Sequence, residues 1–477
     1  MQYFVLLTAA TAMIAVLAAM LYRRSQDPGV WVSVGALYYW SLYGAWFIVI
    51  DKSGGMSGKR YQYLESKLFP LQLDQNYLLA LGLYASFILM AELTALALLK
   101  RRDHLRPCGE RPLGLRHEPV IAVSALAGLA SWLIIRSKLQ DAWALNASAY
   151  LYTRMQTDQW FTWHQVLNRV ALIPPSIGIA LIASGRNARA FLSLHRGYTL
   201  WAYLAILGAM GCFTFVLGNK NEVLVSLVTG ILTYWGTARR PKVIKVVLVA
   251  AAGAWFLYCI DFFRGVPLAN LRDVVTERID ESTAVGTFVT SSNEAYGAHF
   301  SMYGVLEGQV PPKFGYSLYA LVCSVIPRVI WPDRPLDIYY YYAESVGATE
   351  GQGYSLHHAT GWYLNFGSAG VVLGGVVFGL VWAFCLNAKY NARPRSGLAY
   401  ALFARIAPWL FAANVAPLLR AGPEAYKGWL LETVLIPVGV LLLGCRAHRR
   451  AQDWIGLGAR GWSRLGPDSG NRGPSDG

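Results

Sequence analysis

Charged residues are scarce in this chain. Asp, Glu, Lys and Arg make up 14% of its 477 residues, whereas 55% of the residues are hydrophobic. A soluble domain carries roughly a quarter charged residues. This shortage, with a mean hydropathy of +0.35, excludes a secreted disulfide scaffold, a coiled coil and a disordered chain. It indicates a polytopic membrane protein.

The motifs of several large enzyme classes are missing as well. The sequence contains no P-loop GxxxxGK[ST], no HExxH and no GxSxG, which argues against ATP-driven transport, zinc proteolysis and α/β-hydrolase chemistry. A metal-dependent sugar transferase is expected to carry a DxD or ExD pair. The segments predicted to face outward contain neither. The six cysteines form no CxxC pair and are expected to be packing residues. The expected chemistry therefore uses no metal ion and no cofactor.

Apolar runs of about 20 residues, the length needed to cross a bilayer, predict an all-α membrane protein with eleven transmembrane helices. The predicted spans are 2–21, 30–50, 75–99, 119–135, 169–184, 198–217, 222–238, 243–262, 360–387, 398–418 and 428–445. Arg23 and Arg24 follow the first span and no charged segment precedes it, so it is predicted to be a retained anchor rather than a signal peptide.

Basic residues are concentrated in the links between these spans. Six links on one predicted side hold 24 Lys and Arg against 7 Asp and Glu, and the remainder holds 18 against 20. The links are 22–29, 100–118, 185–197, 239–245, 388–397 and the tail from 446. The positive-inside rule places them in the cytoplasm, with the N-terminus outside and the C-terminus inside. The net charge of +15 is thus attributed to topology, and no nucleic-acid partner is expected.

The spans divide the chain into four regions. Residues 1–262 contain helices one to eight, 263–359 form a large outer loop, 360–445 contain helices nine to eleven, and 446–477 form a basic, partly disordered cytoplasmic tail. Within the loop, the apolar segment 314–330 is predicted to be re-entrant or to lie on the membrane surface, because a full span there would reverse the sidedness.

The outer side carries cations suited to binding a diphosphate. Arginine donates two parallel hydrogen bonds and stays charged. Arg264 directly follows a span, Arg328 ends the apolar segment, Arg334 comes shortly after it, and Lys220 lies in a tight hairpin. We predict that these four residues bind a lipid diphosphate. The alternative is that they are solvated or paired with nearby acidic residues.

Aromatic and titratable residues complete the predicted site. Trp331, Tyr340 and Tyr341 are candidates for stacking on sugar rings, although aromatic residues also form anchoring belts at bilayer interfaces. His357 and His358 are candidates for a general base near neutral pH, although an external histidine is usually only a polar surface residue. Glu294 is the carboxylate alternative for this base.

Two segments resemble the bacterial oligosaccharide repeat-unit polymerases, the O-antigen polymerase (Wzy-type) family. They are SVIPRVIWPDRP (324–335) and GYSLHHATGWYLNFGSAGVVLGGVVFG (353–379). The second contains the family's Tyr-x-Asn-Phe-Gly-x-x-Gly element as Tyr363, Asn365, Phe366, Gly367 and Gly370. Lys220 stands where the family has a glycine-arginine turn, and Gly361 stands where it often has a glutamate. The resemblance implies that the role of this glutamate has moved, to His357 or His358.

The resemblance also implies a GT-C-like layout and a reaction. Such enzymes are located in the bacterial cytoplasmic (inner) membrane. On its outer face they join oligosaccharide repeat units linked to undecaprenyl diphosphate, and they use no metal. The product is O-antigen or exopolysaccharide. The expected partners are the lipid-linked oligosaccharide, membrane lipid, a chain-length regulator and a flippase. An O-antigen ligase that transfers glycan to lipid A core, a non-catalytic lipid-linked oligosaccharide transporter and a membrane O-acyltransferase are the alternatives.

Overall fold

A computed structural model shows how the apolar runs pack. It describes residues 1–50, 72–100, 115–138, 159–184, 193–217, 221–237, 294–326, 330–347, 355–391 and 398–445, with Leu248 and Trp255. These residues form helices and connecting turns and, within these ranges, no strand. The prediction of an all-α polytopic membrane protein is confirmed at this level.

The helices follow the apolar runs closely. They are α1 (Gln2–Ser25), α2 (Gly29–Ile50), α3 (Gln75–Leu98), α4 (His117–Lys138), α5 (Gln159–Ala183), α6 (Ser193–Val216), α7 (Asn221–Thr237), α8 (Glu294–Glu307), α9 (Tyr316–Cys323), α10 (Ile338–Ser345), α11 (His358–Asn391), α12 (Leu398–Leu419) and α13 (Ala425–Cys445). Eight of the described helices, α1 to α5 and α11 to α13, are long and apolar enough to cross a membrane. The predicted spans 198–217 and 222–238 coincide with α6 and α7, and 243–262 lies outside the described ranges apart from Leu248 and Trp255.

Helix α11 is central to the bundle and packs most extensively on α3 and α12. Its glycines permit the close approach to α3. A Cβ at Gly375 would lie 2.6 Å from the carbonyl oxygen of Phe87, and a Cβ at Gly379 would overlap the carbonyl oxygen of Ala91. Small residues let helix backbones approach closely in membrane proteins, where packing rather than water drives association. The glycine-rich run 374–379 is therefore a packing surface.

The helices alternate in direction, so their ends gather into two groups. At the first end, the Tyr3 hydroxyl donates to the Asp74 carbonyl and His357 contacts Ser41. We call it the histidine end. At the second, Arg24 donates to the Leu96 carbonyl and Lys389 lies 3.7 Å from Asp27.

We call this second end the basic end, because the described residues of the basic links lie there. Arg24 and Lys389 belong to two of these links, and a third is joined to α13 by the Arg116 N–H, which donates to the Gly444 carbonyl. The charge count requires the basic links to lie on one side of the membrane. The described residues of three of these links do lie at one end of the bundle.

Three short helices of the predicted outer loop lie at the histidine end. Helix α8 packs on α2 and α3, and α9 and α10 pack beside the start of α11. Helix α9 has eight residues and rises roughly 12 Å, well below the ~30 Å of a bilayer core. Apolar side chains around it stay exposed: Phe314, Tyr319, Val322, Val325 and Ile330. A short helix with exposed apolar side chains does not by itself fix the position of the segment, so its re-entrant or surface placement stays a prediction.

Candidate functional site

Three buried histidines meet at the histidine end. His299 comes from α8, and His357 and His358 come from the start of α11. The His357 Nε2 lies 3.0 Å from the Ser41 hydroxyl, and its Nδ1 accepts the Ala359 N–H at 3.1 Å. Because an accepting Nδ1 carries no proton, the Nε2 carries it and donates to Ser41.

The other two rings are held from both sides in the same way. His299 Nδ1 donates to the Ser41 carbonyl at 2.7 Å, and its Nε2 lies 3.0 Å from the Tyr77 hydroxyl. Ser41 lies in a π-helical turn of α2, Tyr39–Tyr43, where the regular hydrogen-bond ladder is interrupted. His358 Nδ1 donates to the Ala421 carbonyl at 2.9 Å, and its Nε2 accepts the Trp362 indole N–H at 3.1 Å.

These contacts define the state of the cluster. Burial lowers the pKa of His299 to about 4, and burial with the neighbouring histidines lowers the pKa of His357 well below its ordinary value. Both rings are therefore neutral near pH 7, and the lone pairs of His299, His357 and His358 are already occupied. The cluster ties α2, α3, α8 and α11 together. The role of His357 or His358 as a general base stays a prediction.

The Tyr-x-Asn-Phe-Gly element forms a break in α11. Phe366 and Gly367 leave the helical conformation, and Gly367 has φ 62° and ψ −152°, a combination that is essentially restricted to glycine. The break frees the Leu364 carbonyl, which accepts the Lys313 N–H at 2.7 Å. Asn365 accepts the Ser317 N–H at 2.8 Å and donates to the Ser317 hydroxyl at 2.7 Å. The element therefore attaches α9 to the bundle.

Gly361 allows the turn between α12 and α13 to pack on α11. A Cβ at Gly361 would lie 2.9 Å from the Gly422 Cα and 3.0 Å from Pro423. This turn carries a buried carboxyl group, Glu424, whose Oε1 accepts the Ile338 N–H at the start of α10 at 3.0 Å. Burial, and to a lesser degree the charge of Asp337, raises the pKa of Glu424 to about 7. The turn that packs against Gly361 thus places Glu424 between α11 and the start of α10.

Two arginines that were not predicted as site residues lie at the same end. Arg420 follows α12 and donates to Asn221 Oδ1 at 2.7 Å and to the Ser355 hydroxyl at 3.3 Å. Its guanidinium also lies 5.6 Å from the Trp40 ring centroid, within reach of a cation–π contact.

Arg169 lies on α5 between two carboxylates. It pairs with Glu432 of α13 and lies 4.0 Å from Glu222 of α7. This trio therefore links α5, α7 and α13.

The residues predicted from the sequence lie in several places. Arg334 donates to the main-chain carbonyls of Ser324 and Ile326 at 2.7 and 2.8 Å, so it stabilises the end of α9. Tyr341 donates to the Pro311 carbonyl, and the Lys313 ammonium lies 4.0 Å from its ring centroid. Tyr340 is exposed and Trp331 is half-buried. Three predicted cations and one side chain lie outside the described residues: Arg264, Arg328, Lys220 and the side chain of Glu294.

The sequence contains a signal for two of the missed residues, Arg420 and Arg169. Arg420 directly follows an apolar span, as Arg264 does, and Arg169 opens one; a charge at membrane depth is by default a functional hypothesis. Glu424 carried no signal, because its importance comes from burial against α10. Within the described ranges no three His, Cys, Asp or Glu side chains are placed to hold a metal ion.

Comparison with protein-family models, curated proteins and solved structures finds no match to this chain. The family resemblance therefore rests on the motifs alone.

Proposed function

We propose that this protein is a membrane glycosyltransferase that polymerises oligosaccharide repeat units carried on undecaprenyl diphosphate. The acceptor is a second lipid-linked repeat unit, and the reaction takes place at the histidine end of the bundle. This end is proposed to face outward, since basic links at the other end favour the cytoplasm. The membrane is proposed to be the bacterial cytoplasmic membrane.

The observation that carries the proposal is the position of Arg420. It is a permanently charged group at the end of a membrane-crossing helix, and hydrogen bonds to Asn221 and Ser355 hold its guanidinium there. The planar fork of arginine suits the oxygens of a diphosphate, the leaving group of this reaction.

The apolar surface around α9 supports the choice of a lipid-linked substrate. Phe314, Val322 and Ile330 are each at least 71% exposed, which is unfavourable in water. Contact with lipid chains removes this cost. A polyprenyl chain in the membrane would then present its diphosphate at the level of the helix ends, where Arg420 lies.

The test uses purified protein in lipid vesicles with an undecaprenyl-diphosphate-linked oligosaccharide as both donor and acceptor. We expect a ladder of longer lipid-linked glycans, resolved by gel electrophoresis. Arg420→Ala should lower the rate roughly 10²- to 10³-fold, the scale of losing one donor to a developing negative charge. Arg420→Lys should recover part of the rate, because the charge remains and the bidentate fork is lost.

Arg23→Ala is the matched control. Arg23 is an exposed arginine in the last turn of α1 at the basic end, and its removal should leave the ladder unchanged. A ladder of normal rate from Arg420→Ala would remove the diphosphate role. Transfer of glycan to added lipid A core, without a ladder, would favour the ligase. Translocation of the intact lipid-linked oligosaccharide without either product would favour the transporter.

A further inference from the structure

Glu424 combines burial with an open acceptor. The residue is 6% exposed, and its Oε1 binds the Ile338 N–H. Its Oε2 is buried and has no donor at hydrogen-bonding distance within the described ranges, although the Ser317 hydroxyl acts on the same carboxyl group from farther away. A buried carboxylate oxygen without a donor is costly, so such an atom calls for an explanation in substrate binding or catalysis.

We propose that Glu424 is the general base of the glycosyl transfer, an inference that rests on the proposed polymerase function. As the acceptor hydroxyl oxygen attacks the anomeric carbon of the donor, a new C–O bond forms. The bond between that carbon and the diphosphate oxygen breaks, and its electron pair leaves with the diphosphate. The hydroxyl proton passes to Glu424 Oε2. No oxidant, reductant or further reactant is needed.

The geometry favours Glu424 over the histidines as the proton acceptor. A general base needs a free lone pair within hydrogen-bond reach of the acceptor hydroxyl. The lone pairs of His357 and His358 are taken by the Ala359 N–H and the Trp362 indole N–H, whereas Oε2 is free of described donors.

Gly422 packs closely against Oε2, because it has no side chain: a Cβ there would overlap this oxygen. Arg420, the proposed diphosphate ligand, lies four residues earlier in the same turn. One short turn thus presents both a cation for the leaving group and a base for the nucleophile.

The charged and titratable neighbours of Glu424 come from three elements. Asp337, before α10, raises the pKa of Glu424, and the Ile338 N–H and Ser317 hydroxyl oppose this shift. Tyr316 of α9 interacts with the same carboxyl group. On α13, Lys427 lies within the electrostatic range of Asp337 and Arg334. Burial is the largest influence, and it holds the pKa of Glu424 at about 7, which suits a base that must release its proton again at neutral pH.

The experiment measures polymerisation against pH with the full-length protein in vesicles. Wild type should lose activity on the acid side with a midpoint near the Glu424 pKa of about 7. Glu424→Gln, which keeps the shape and an acceptor for the Ile338 N–H, should lower the rate roughly 10²- to 10⁴-fold with little change in the KM for the lipid-linked donor. A wild-type rate from a Glu424→Gln protein with normal thermal stability overturns the proposal.

Asp337→Asn supplies a test that leaves Glu424 in place. Asp337 is exposed and acts on Glu424 through its charge, so the rate at neutral pH should stay within a few-fold of wild type. Because its negative charge raises the Glu424 pKa, removing it should move the acid limb to lower pH. A purely structural role for Glu424 predicts an unmoved limb, and that result overturns the proposal even if Glu424→Gln fails to fold.

The two proposals fail in different ways. If wild type binds the lipid-linked oligosaccharide and makes no polymer at any pH, the polymerase function is wrong and the inference about Glu424 falls with it. If wild type polymerises, but Glu424→Gln leaves the rate unchanged or Asp337→Asn leaves the acid limb unchanged, the function stands and Glu424 is not its base.

Discussion

Asn365 makes a quantitative prediction possible, because its side chain replaces a missing helix cap. Helix α9 begins after Gly315, which has no side chain to accept a backbone N–H. Asn365 Oδ1 accepts the Ser317 N–H instead, at 2.8 Å. Its Nδ2 donates to the Ser317 hydroxyl and to the Gly361 carbonyl, each at 2.7 Å. Asn365→Ala removes all three hydrogen bonds from a fully buried place.

The magnitude follows from these contacts. Losing a helix N-cap costs about 0.5–2 kcal/mol, and leaving a buried donor such as the Ser317 N–H unpaired costs about 1–3 kcal/mol. Since these contributions overlap, we expect a loss of about 2–4 kcal/mol in the free energy that holds α9 against the bundle. At about 1.4 kcal/mol per factor of ten, amide exchange by local opening should become roughly 30- to 700-fold faster.

Hydrogen exchange read by mass spectrometry on peptides covering Tyr316–Cys323 measures this change directly. Asn365→Asp should have an intermediate effect, because it keeps an acceptor for Ser317 and turns its second oxygen toward the Gly361 carbonyl. Asn414→Ala is the control: this buried side chain donates within its own helix, to the Leu410 carbonyl. Unchanged exchange over α9 in Asn365→Ala would refute the capping argument.

Three further predictions concern the break, the sidedness and the buried histidines. Gly367→Ala should cost about 1–3 kcal/mol, because alanine is strained at this backbone conformation; thermal unfolding should show this loss, while Gly439→Ala, in a regular helix with open space around it, should not be destabilised. In a background without native cysteines, Asp333→Cys should react with an impermeant thiol reagent from outside, and Gln26→Cys at the basic end should react after permeabilisation; the reverse pattern would invert the topology. Burial lowers the pKa of His299 to about 4, from an unfolded value near 6.5. The contribution of the neutral ring to stability is therefore complete above pH ~6.5 and is lost as the pH falls toward 4. Thermal unfolding across this range should show a smaller loss of stability at low pH in a folded His299→Gln protein than in wild type.

The helices could be predicted well because a membrane leaves few alternatives. Backbone groups in lipid must be paired within the chain, so an apolar run of sufficient length forms a helix. The predicted span 75–99 and the helix Gln75–Leu98 differ by one residue. Asp74 fixes this start, since its side chain accepts the Tyr77 N–H at 2.8 Å.

The site was harder to predict because its contacts join distant parts of the chain. The sequence singles out His357 and His358 as candidate bases, a role that stays a prediction, but it does not show their hydrogen-bond partners. Ser41 lies 316 residues from His357, and the Ala421 carbonyl lies 63 residues from His358. A periodic pattern records which face of a helix is apolar, and it carries no information about which carbonyl a π-helical turn or a helix end leaves free.

The irregular backbone of the described helices points to the same end as the chemistry. Helix α2 has a π-helical turn at Tyr39–Tyr43, α11 breaks at Gly367, and α13 opens with a second π-helical stretch, Gly428–Leu435. All three lie at or near the histidine end. Non-helical backbone at membrane depth is tolerated where it is buried in protein or lines a polar cavity, and π-helical turns occur frequently at functional sites. Arg420 and Glu424 lie among these irregularities, so the residues proposed to bind the diphosphate and to accept the proton belong to a part of the bundle where the described backbone is irregular.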